Sequence, residues 1–338
     1  MTDTPQTPIA RSAPAIGSDE IDLINYVNIG LMIFALLLAA YMPFEVFIIA
    51  YAVLGPLHYL TEISWLHDRR YFSVGRYDWC VLALPLIPLG MGFIVDIPWR
   101  SQIDLMLVAG SFTAAAGLAF CKDWRKKIAL VVIGCGVGYL GRRYGIIATF
   151  FLALLPTVIH VYVFTGLFIV YGALKGRSTS GILSALVYLA SPLLCVYVFT
   201  TPDSYHASQY ALEASKPFHG LCRYLNRVFG VSLGYGDIQV AMRFLAFAYT
   251  YHYLNWFSKT RVINWHEMSQ ARLCCILVLY MMAVGAYAIS YEVGFAALLA
   301  LSAGHVYLEF PLNFRSMVGI FSELIHLGGL GSASPRKK

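Results

Sequence analysis

The sequence predicts an all-α fold, a polytopic transmembrane helical bundle of about ten spans, and three observations carry that prediction. Hydrophobic residues fill 59% of the 338 positions and charged residues only 12%, about half the ~25% of soluble domains. Apolar runs of about 18 residues or more recur along the chain, enough for a helix to cross a ~30 Å hydrocarbon core. These runs are mostly continuous instead of alternating with polar residues, which fits helices better than a membrane β-barrel.

The elements follow in order. The opening MTDTPQTPIARSAPAIGSDE is polar and rich in Pro, Ser and Thr, so residues 1–22 are expected to form a disordered cytoplasmic lead-in. It lacks a signal peptide's basic end, short apolar core and small-residue cleavage site. Residues 23–316 form the transmembrane domain. Spans are expected near 24–41, 44–64, 78–95, 103–121, 127–140, 144–172, 182–200, 238–258, 270–290 and 293–314. The fifth, VVIGCGVGYLG, is short and glycine-rich, which suits a tilted, re-entrant or closely packed segment. Residues 201–237 make the one long loop, and their aromatics and mixed charges suggest an extracytoplasmic cap at the interface. Residues 317–338 are expected as a cytoplasmic tail.

Lys and Arg orient the bundle. HDRRYFSVGR, CKDWRKK, LKGR, SKTR and the terminal PRKK follow alternate spans, so they share one side. The positive-inside rule makes that side cytoplasmic, with both termini on it. The GRR at 141–143 is an exception on the other side. This places the chain in the cytoplasmic (inner) membrane as a multi-pass protein in contact with lipid. The net charge of +6 sits mainly in loops and speaks to topology, not to nucleic acid. Seven cysteines, without a CxxC pair and mostly within apolar runs, suit buried small hydrophobes better than disulfides or a zinc framework.

Nine histidines are present. Five (His67, His206, His219, His266 and His326) fall in loops or at helix ends, as solvated polar residues do. Four lie inside apolar runs, where an ionisable residue is costly and usually turns inward to a partner. These are His58 in LGPLHYLTE, His160 in LLPTVIHVYVF, His252 in FAYTYHYLNWF and His305 in LSAGHVYLEF. They stand 14, 16, 14 and 12 residues along four spans that run in the same direction. At ~1.5 Å per residue all four lie at roughly 18–24 Å depth, so one shared site is expected. Neutral imidazole ligates non-haem iron, copper and zinc alike. Glu62 and Glu309 follow His58 and His305 by four residues, a spacing that shares a helix face. Each is expected to orient an imidazole or to ligate directly. Pro56 and Pro156 precede two of the histidines and are expected to kink their helices and open space. Tyr59, Tyr162, Tyr249, Tyr253, Trp256 and Tyr307 crowd the same segments. They are expected to line a tunnel for a long, apolar, unsaturated substrate taken from the lipid phase.

At these residues the chain resembles the Brp/Blh family of integral membrane β-carotene dioxygenases. GPLH at 55–58 is similar to the family's first Gly/Pro/His segment. HYLNWFSKTRVINWH, from His252 to His266, is similar to its later aromatic helix with a ligand histidine. AGHVYLEF at 303–310 resembles its last Pro-His segment, with Ala303 and Gly304 in place of the small residue and proline. The resemblance covers roughly residues 44–314. It implies a non-haem Fe(II) held by His58, His160, His252 and His305, O2 as co-substrate, and oxidative double-bond cleavage of a carotenoid to retinal. Two readings from other classes stay open at this point. One is a bis-His haem protein of membrane electron transfer, and the other a proton-coupled transporter or lipid-binding protein with a histidine/glutamate relay. The clustered HxxxH and HxxHH boxes of membrane desaturases are absent.

Overall fold

The computed structural model describes residues 17–91, 99–230, 237–259 and 268–327, and among them every regular element is helical. Helix α1 spans Ser18–Tyr41, so the helix begins within the segment expected as lead-in; residues 1–16 lie outside the described residues. Its turn to α2 is set by Pro43 at the first helical position, where a missing N–H costs nothing. Helix α2 (Pro43–Ile49) runs through a π-helical turn, Ala50–Leu54, into α3 (Gly55–Asp68). The π turn has a local cause. Pro56 lacks an N–H and its ring crowds the carbonyl four residues back. The widened turn eases this, and the Gly55 N–H reaches back five residues to the Ala50 carbonyl.

Helices α4 (Trp79–Ala83) and α5 (Leu86–Met91) replace the expected third span with two short pieces broken before Pro85; its last residues lie outside those described. Helices α6 (Arg100–Phe120) and α7 (Trp124–Gly141) form a hairpin. The glycine-rich fifth span is thus one continuous helix, and the reason for its glycines is contact. A Cβ on Gly138 would stand 2.7 Å from the Leu105 carbonyl oxygen and the Met106 Cα, and one on Gly134 would meet Thr113 and the Ala109 carbonyl. Small residues one turn apart let the two backbones touch.

Helix α8 (Gly145–Thr149) continues as a 15-residue π-helix, Phe150–Phe164, with Pro156 inside it, and then as α9 (Thr165–Gly176). Helix α10 (Thr179–Leu193) contains Pro192 and ends in a third π turn, Leu194–Val198. Each π segment among the described residues therefore contains a proline or lies two residues from one. The long loop folds into α11 (Gln209–Ser215), a 3-10 turn and α12 (His219–Val228). Glu45 pins this cap to α2 by accepting from the Tyr205 hydroxyl at 2.6 Å and the Ser208 N–H at 2.8 Å.

Helix α13 (Asp237–Ser258) is the central post, with Ala241 through Tyr249 almost wholly buried. Helices α14 (Gln270–Ile289) and α15 (Tyr291–Leu327) complete the bundle. The 37 residues of α15 extend about 55 Å, past the thickness of a bilayer core, so the helix continues into the expected tail. Residues 328–338 lie outside those described.

Among the described residues, seven helical segments are long and apolar enough to cross a membrane, and Trp79–Met91 is a shorter apolar one. Helices α7 and α13 are not among the seven; α7 begins WRKK, and α13 carries Arg243, His252 and Asn255. The exterior agrees with a lipid setting, since Leu186, Leu189 and Leu193 of α10, Val132 and Ile133 of α7, and Met281 and Met282 of α14 are all exposed. Short connections make successive spans antiparallel, so the bundle has a terminus end and a cap end. At the terminus end Lys127 pairs with Asp78 at 2.7 Å, Arg272 with Asp68 at 2.6 Å, and Arg315 donates to the Ala119 carbonyl. The seven cysteines are all free thiols.

Candidate metal centre

His58, His160, His252 and His305 come together in the middle of the bundle. Each is about 15 residues from the start of its helical segment, at Pro43, Gly145, Asp237 and Tyr291 respectively, or about 22 Å at the usual helical rise. Matched depth becomes a shared site because the faces also match. His58 and His252 face each other with Nε2 atoms 3.0 Å apart, and His160 and His305 do the same at 3.0 Å. Ring centroids are separated by 4.5 Å from His58 to His252, 4.9 Å on to His160, 4.8 Å on to His305, and 5.4 Å back to His58. The four imidazoles thus form a closed ring, with one donor atom from each within 4.8 Å of every other. Their relative exposures lie between 1% and 7%.

This geometry suits one ion. Imidazole nitrogens bind metals at about 2.0–2.1 Å. Two such ligands at right angles then stand about 3.0 Å apart, the separation of both facing pairs. Four neutral nitrogens aimed at one buried point are otherwise poorly served. Each facing pair can hold only one proton between its two Nε2 atoms, and the low-dielectric surroundings penalise any added charge.

The two glutamates are placed differently. Glu62 Oε2 lies 3.0 Å from His58 Nε2, the nitrogen that faces His252, so it stands on the donor side of the ring. Glu309 Oε2 lies 3.0 Å from Nδ1 of His160, behind the ring. Both approaches are at ion-pair distance but off the line of a hydrogen bond. The spacing had suggested that Glu309 serves His305 on its own helix. It turns instead to His160 of the π-helix, because the shared face of α15 looks into the bundle where that helix passes. Asn313, one turn on, donates to Glu309 Oε2 at 3.4 Å. His252 has its own support, since Thr165 Oγ1 lies 2.7 Å from its Nδ1. The tautomer that leaves Nε2 free to ligate then donates from Nδ1 to Thr165.

Removing a group behind a ligand commonly costs 10- to 100-fold in metal affinity. Glu309→Gln is therefore expected to weaken metal binding by about that factor while leaving the helix content unchanged. Competition against a calibrated chelator measures it, and an unchanged affinity would show that Glu309 does not steer His160.

The aromatic residues divide by helical angle. Tyr249 and Tyr253 line a cavity of 670 Å³ that reaches His160 and His305. Tyr253 and Trp256 pack on the His58 ring at 5.0 and 5.5 Å, and Tyr59 on His305 at 5.7 Å. Trp256 also donates to Thr61 Oγ1. Tyr162 stacks on Tyr188, and Tyr307 packs on Phe310, both away from the cavity. Each follows its histidine by two residues, about half a helical turn, which carries the ring to the far side. Tyr51, Thr165, Arg223 and Arg227 belong to the site or its cavity and escaped the sequence reading. The arginines had a signal, an i, i+4 pair in the cap loop; Thr165 had none. His67, His206 and His326 are exposed and His219 is half-buried in the cap, apart from the ring, and His266 lies outside the described residues.

Comparison of the chain with family models, with curated proteins and with solved structures finds no match.

Proposed function

We propose that the chain is a membrane-embedded non-haem iron oxygenase, with His58, His160, His252 and His305 holding the metal, acting on a long apolar isoprenoid or lipid such as a carotenoid. One observation carries the reading: a closed ring of four buried imidazoles at the inner end of a 670 Å³ cavity, a volume typical of small-molecule sites. Rings in contact at 3.0 Å leave no slot for a porphyrin between them, which favours a single ion over bis-His haem. The donor set of nitrogens with one nearby carboxylate suits iron, copper or zinc, and the resemblance of GPLH and AGHVYLEF to the Brp/Blh segments favours iron.

Ferrous iron, when bound, supplies the redox chemistry by which O2 reacts with a carbon–carbon double bond. In that reaction one C=C bond breaks, and both oxygen atoms of O2 end in two carbonyl groups. The chain does the rest. Tyr249, Tyr253, Phe295 and Leu299 form walls that admit an extended apolar chain and exclude water. The carboxylate of Glu309 and the hydroxyl of Thr165 hold His160 and His252 in their orientations. Glu62, on the donor side, is placed to ligate or to hold a proton beside His58.

Expression in a carotene-producing host tests the reading. Loss of colour, with a cleavage aldehyde such as retinal in the lipid extract, is the expected result. Purified protein should hold about one iron per chain without a Soret band. Iron-free protein from an iron-replete host would overturn the metal assignment, and unbleached cells containing iron-loaded protein would overturn the carotenoid assignment.

A further inference from the structure

The cavity that ends at the ring is not apolar throughout. Its inner part is walled by residues such as Leu152, Val306 and Leu299, and its outer part by the cap helix α12. That helix is amphipathic. Leu221, Cys222, Leu225 and Asn226 are buried, while Gly220, Arg223, Tyr224 and Arg227, spaced by three or four residues, line the cavity. Arg223 and Arg227 are both exposed, so they stand at the mouth where the cavity meets water. No carboxylate among the described residues pairs with either. The acid of the preceding helix, Glu213, is engaged by Lys216 and Gln209. Asp203 lines a separate cleft with Arg243.

The charge of these two arginines is therefore unpaired among the described residues. His219, one turn before Arg223, does not change this. Burial, with Arg223 and Lys216 beside it, holds its imidazole below the usual range, so it is neutral near pH 7 and the charge at the mouth is that of the arginines. The same end of the bundle carries Arg142 and Arg143, both exposed, the residues that break the positive-inside pattern.

From this juxtaposition we infer that the ligand of the cavity is an amphipathic lipid, a long apolar chain with an anionic carboxylate or phosphate head, bound with its head at Arg223 and Arg227 and its chain directed toward the histidine ring. A planar guanidinium pairs with carboxylate or phosphate through two parallel hydrogen bonds. The wall segment that opens at Thr149 reaches His160 after roughly 15 Å of helix. The head thereby sets which bond along the chain lies at the ring, and the arginines determine position as well as affinity. A hydrocarbon without a head would lack that register. The inference rests on the proposed oxygenase and selects the lipid branch of its substrate class over a head-less carotenoid, so unbleached carotene-producing cells agree with it; the binding half of it stands without any chemistry at the ring.

Binding of four probes to the purified full-length protein in neutral detergent tests it: oleate, oleyl phosphate, oleyl alcohol and inorganic phosphate. Tyrosine and tryptophan fluorescence or calorimetry reads the binding, and metal content is measured on the same samples. The expected result is one-to-one binding of oleate or oleyl phosphate at least tenfold tighter than oleyl alcohol. Whichever of the two binds tighter identifies the head as carboxylate or phosphate, and inorganic phosphate should not compete at the same concentration. Arg223→Gln with Arg227→Gln should remove the preference and leave oleyl alcohol binding and metal content unchanged. Arg223→Glu with Arg227→Glu should reverse it. Equal affinity of the parent for oleyl alcohol and the anionic probes, or equal loss of all probes in the glutamine variant, would overturn the inference whatever the metal content. Preference for an anionic head in protein that binds no metal would leave it standing and remove the oxygenase reading.

Discussion

Protein carrying His160→Ala is expected to bind metal on the order of 100- to 1,000-fold more weakly than the parent, and to leave purification with about a tenth of its metal or less. The factor follows from sharing out the ~10–16 kcal/mol of a four-ligand site among its ligands, about 2.5–4 kcal/mol each. His160 is the informative choice because it has a ring partner on each side, His252 and His305 at 4.9 and 4.8 Å, and the Glu309 carboxylate behind it. Removing it opens the ring and leaves the buried Glu309 carboxylate with the long contact from Asn313 but no imidazole beside it. A second loss, of folding stability, is expected for that reason, since an unpaired buried acid costs several kcal/mol unless it takes up a proton. His160→Gln, which keeps a polar group there, separates the two effects. Metal should still be lost while the thermal unfolding midpoint stays closer to the parent's. Full metal occupancy in both variants, by elemental analysis, would end the four-histidine reading.

The second large effect is expected far from the ring. Gly138→Val should lower stability by about 3 kcal/mol, at the upper end of overpacking costs. A Cβ there meets backbone, the Leu105 carbonyl and the Met106 Cα at 2.7 Å, and backbone cannot rotate away as a side-chain tip can. Gly136, on the same helix, has nothing within 4 Å of its Cβ position. Gly136→Ala should therefore be neutral or stabilising by about 0.5–1 kcal/mol, the usual helical gain over glycine. Thermal unfolding in detergent, following α-helical circular dichroism, compares the two. Similar behaviour of both variants would mean that α6 and α7 do not touch through Gly138.

The parts of this architecture that sequence reveals are those where hydrocarbon imposes a rule. Helical spans announce themselves because backbone groups must be satisfied internally. The four histidines stand out because an ionisable group in a span needs a reason to be there. Their common depth was readable from residue counts, since rise per residue is nearly constant. Direction around the helix was less readable. A shared face joins Glu309 to His305 in sequence, yet what that face looks at depends on where the neighbouring helix passes, and here it is the π-helix bearing His160. The wider π turns also shift every angular phase beyond Pro156, so helical-wheel positions in that segment mislead. The prolines hinted at irregularity without giving its form. Tyr162 and Tyr307 were grouped with the tunnel by proximity in sequence, and about half a helical turn separates them from it. The cap was visible as a loop of aromatic and charged residues, but its helices α11 and α12 are too short for a clear periodic signal.

The ring also has a consequence for biogenesis. Its facing partners are separated by 194 positions for His58 and His252 and by 145 for His160 and His305. Synthesis from the N-terminus therefore delivers the first pair before the last helix, α15, exists. The ring closes only when α15 has entered the bundle, so capture of an ion by all four ligands would follow the insertion of that helix. The cavity beneath the cap, which reaches His160 and His305, would offer an ion a route to the closed ring. If the ring holds an ion, full metal content would record the docking of α15, and cells short of the metal should accumulate chains in which α15 is the first helix released to proteases.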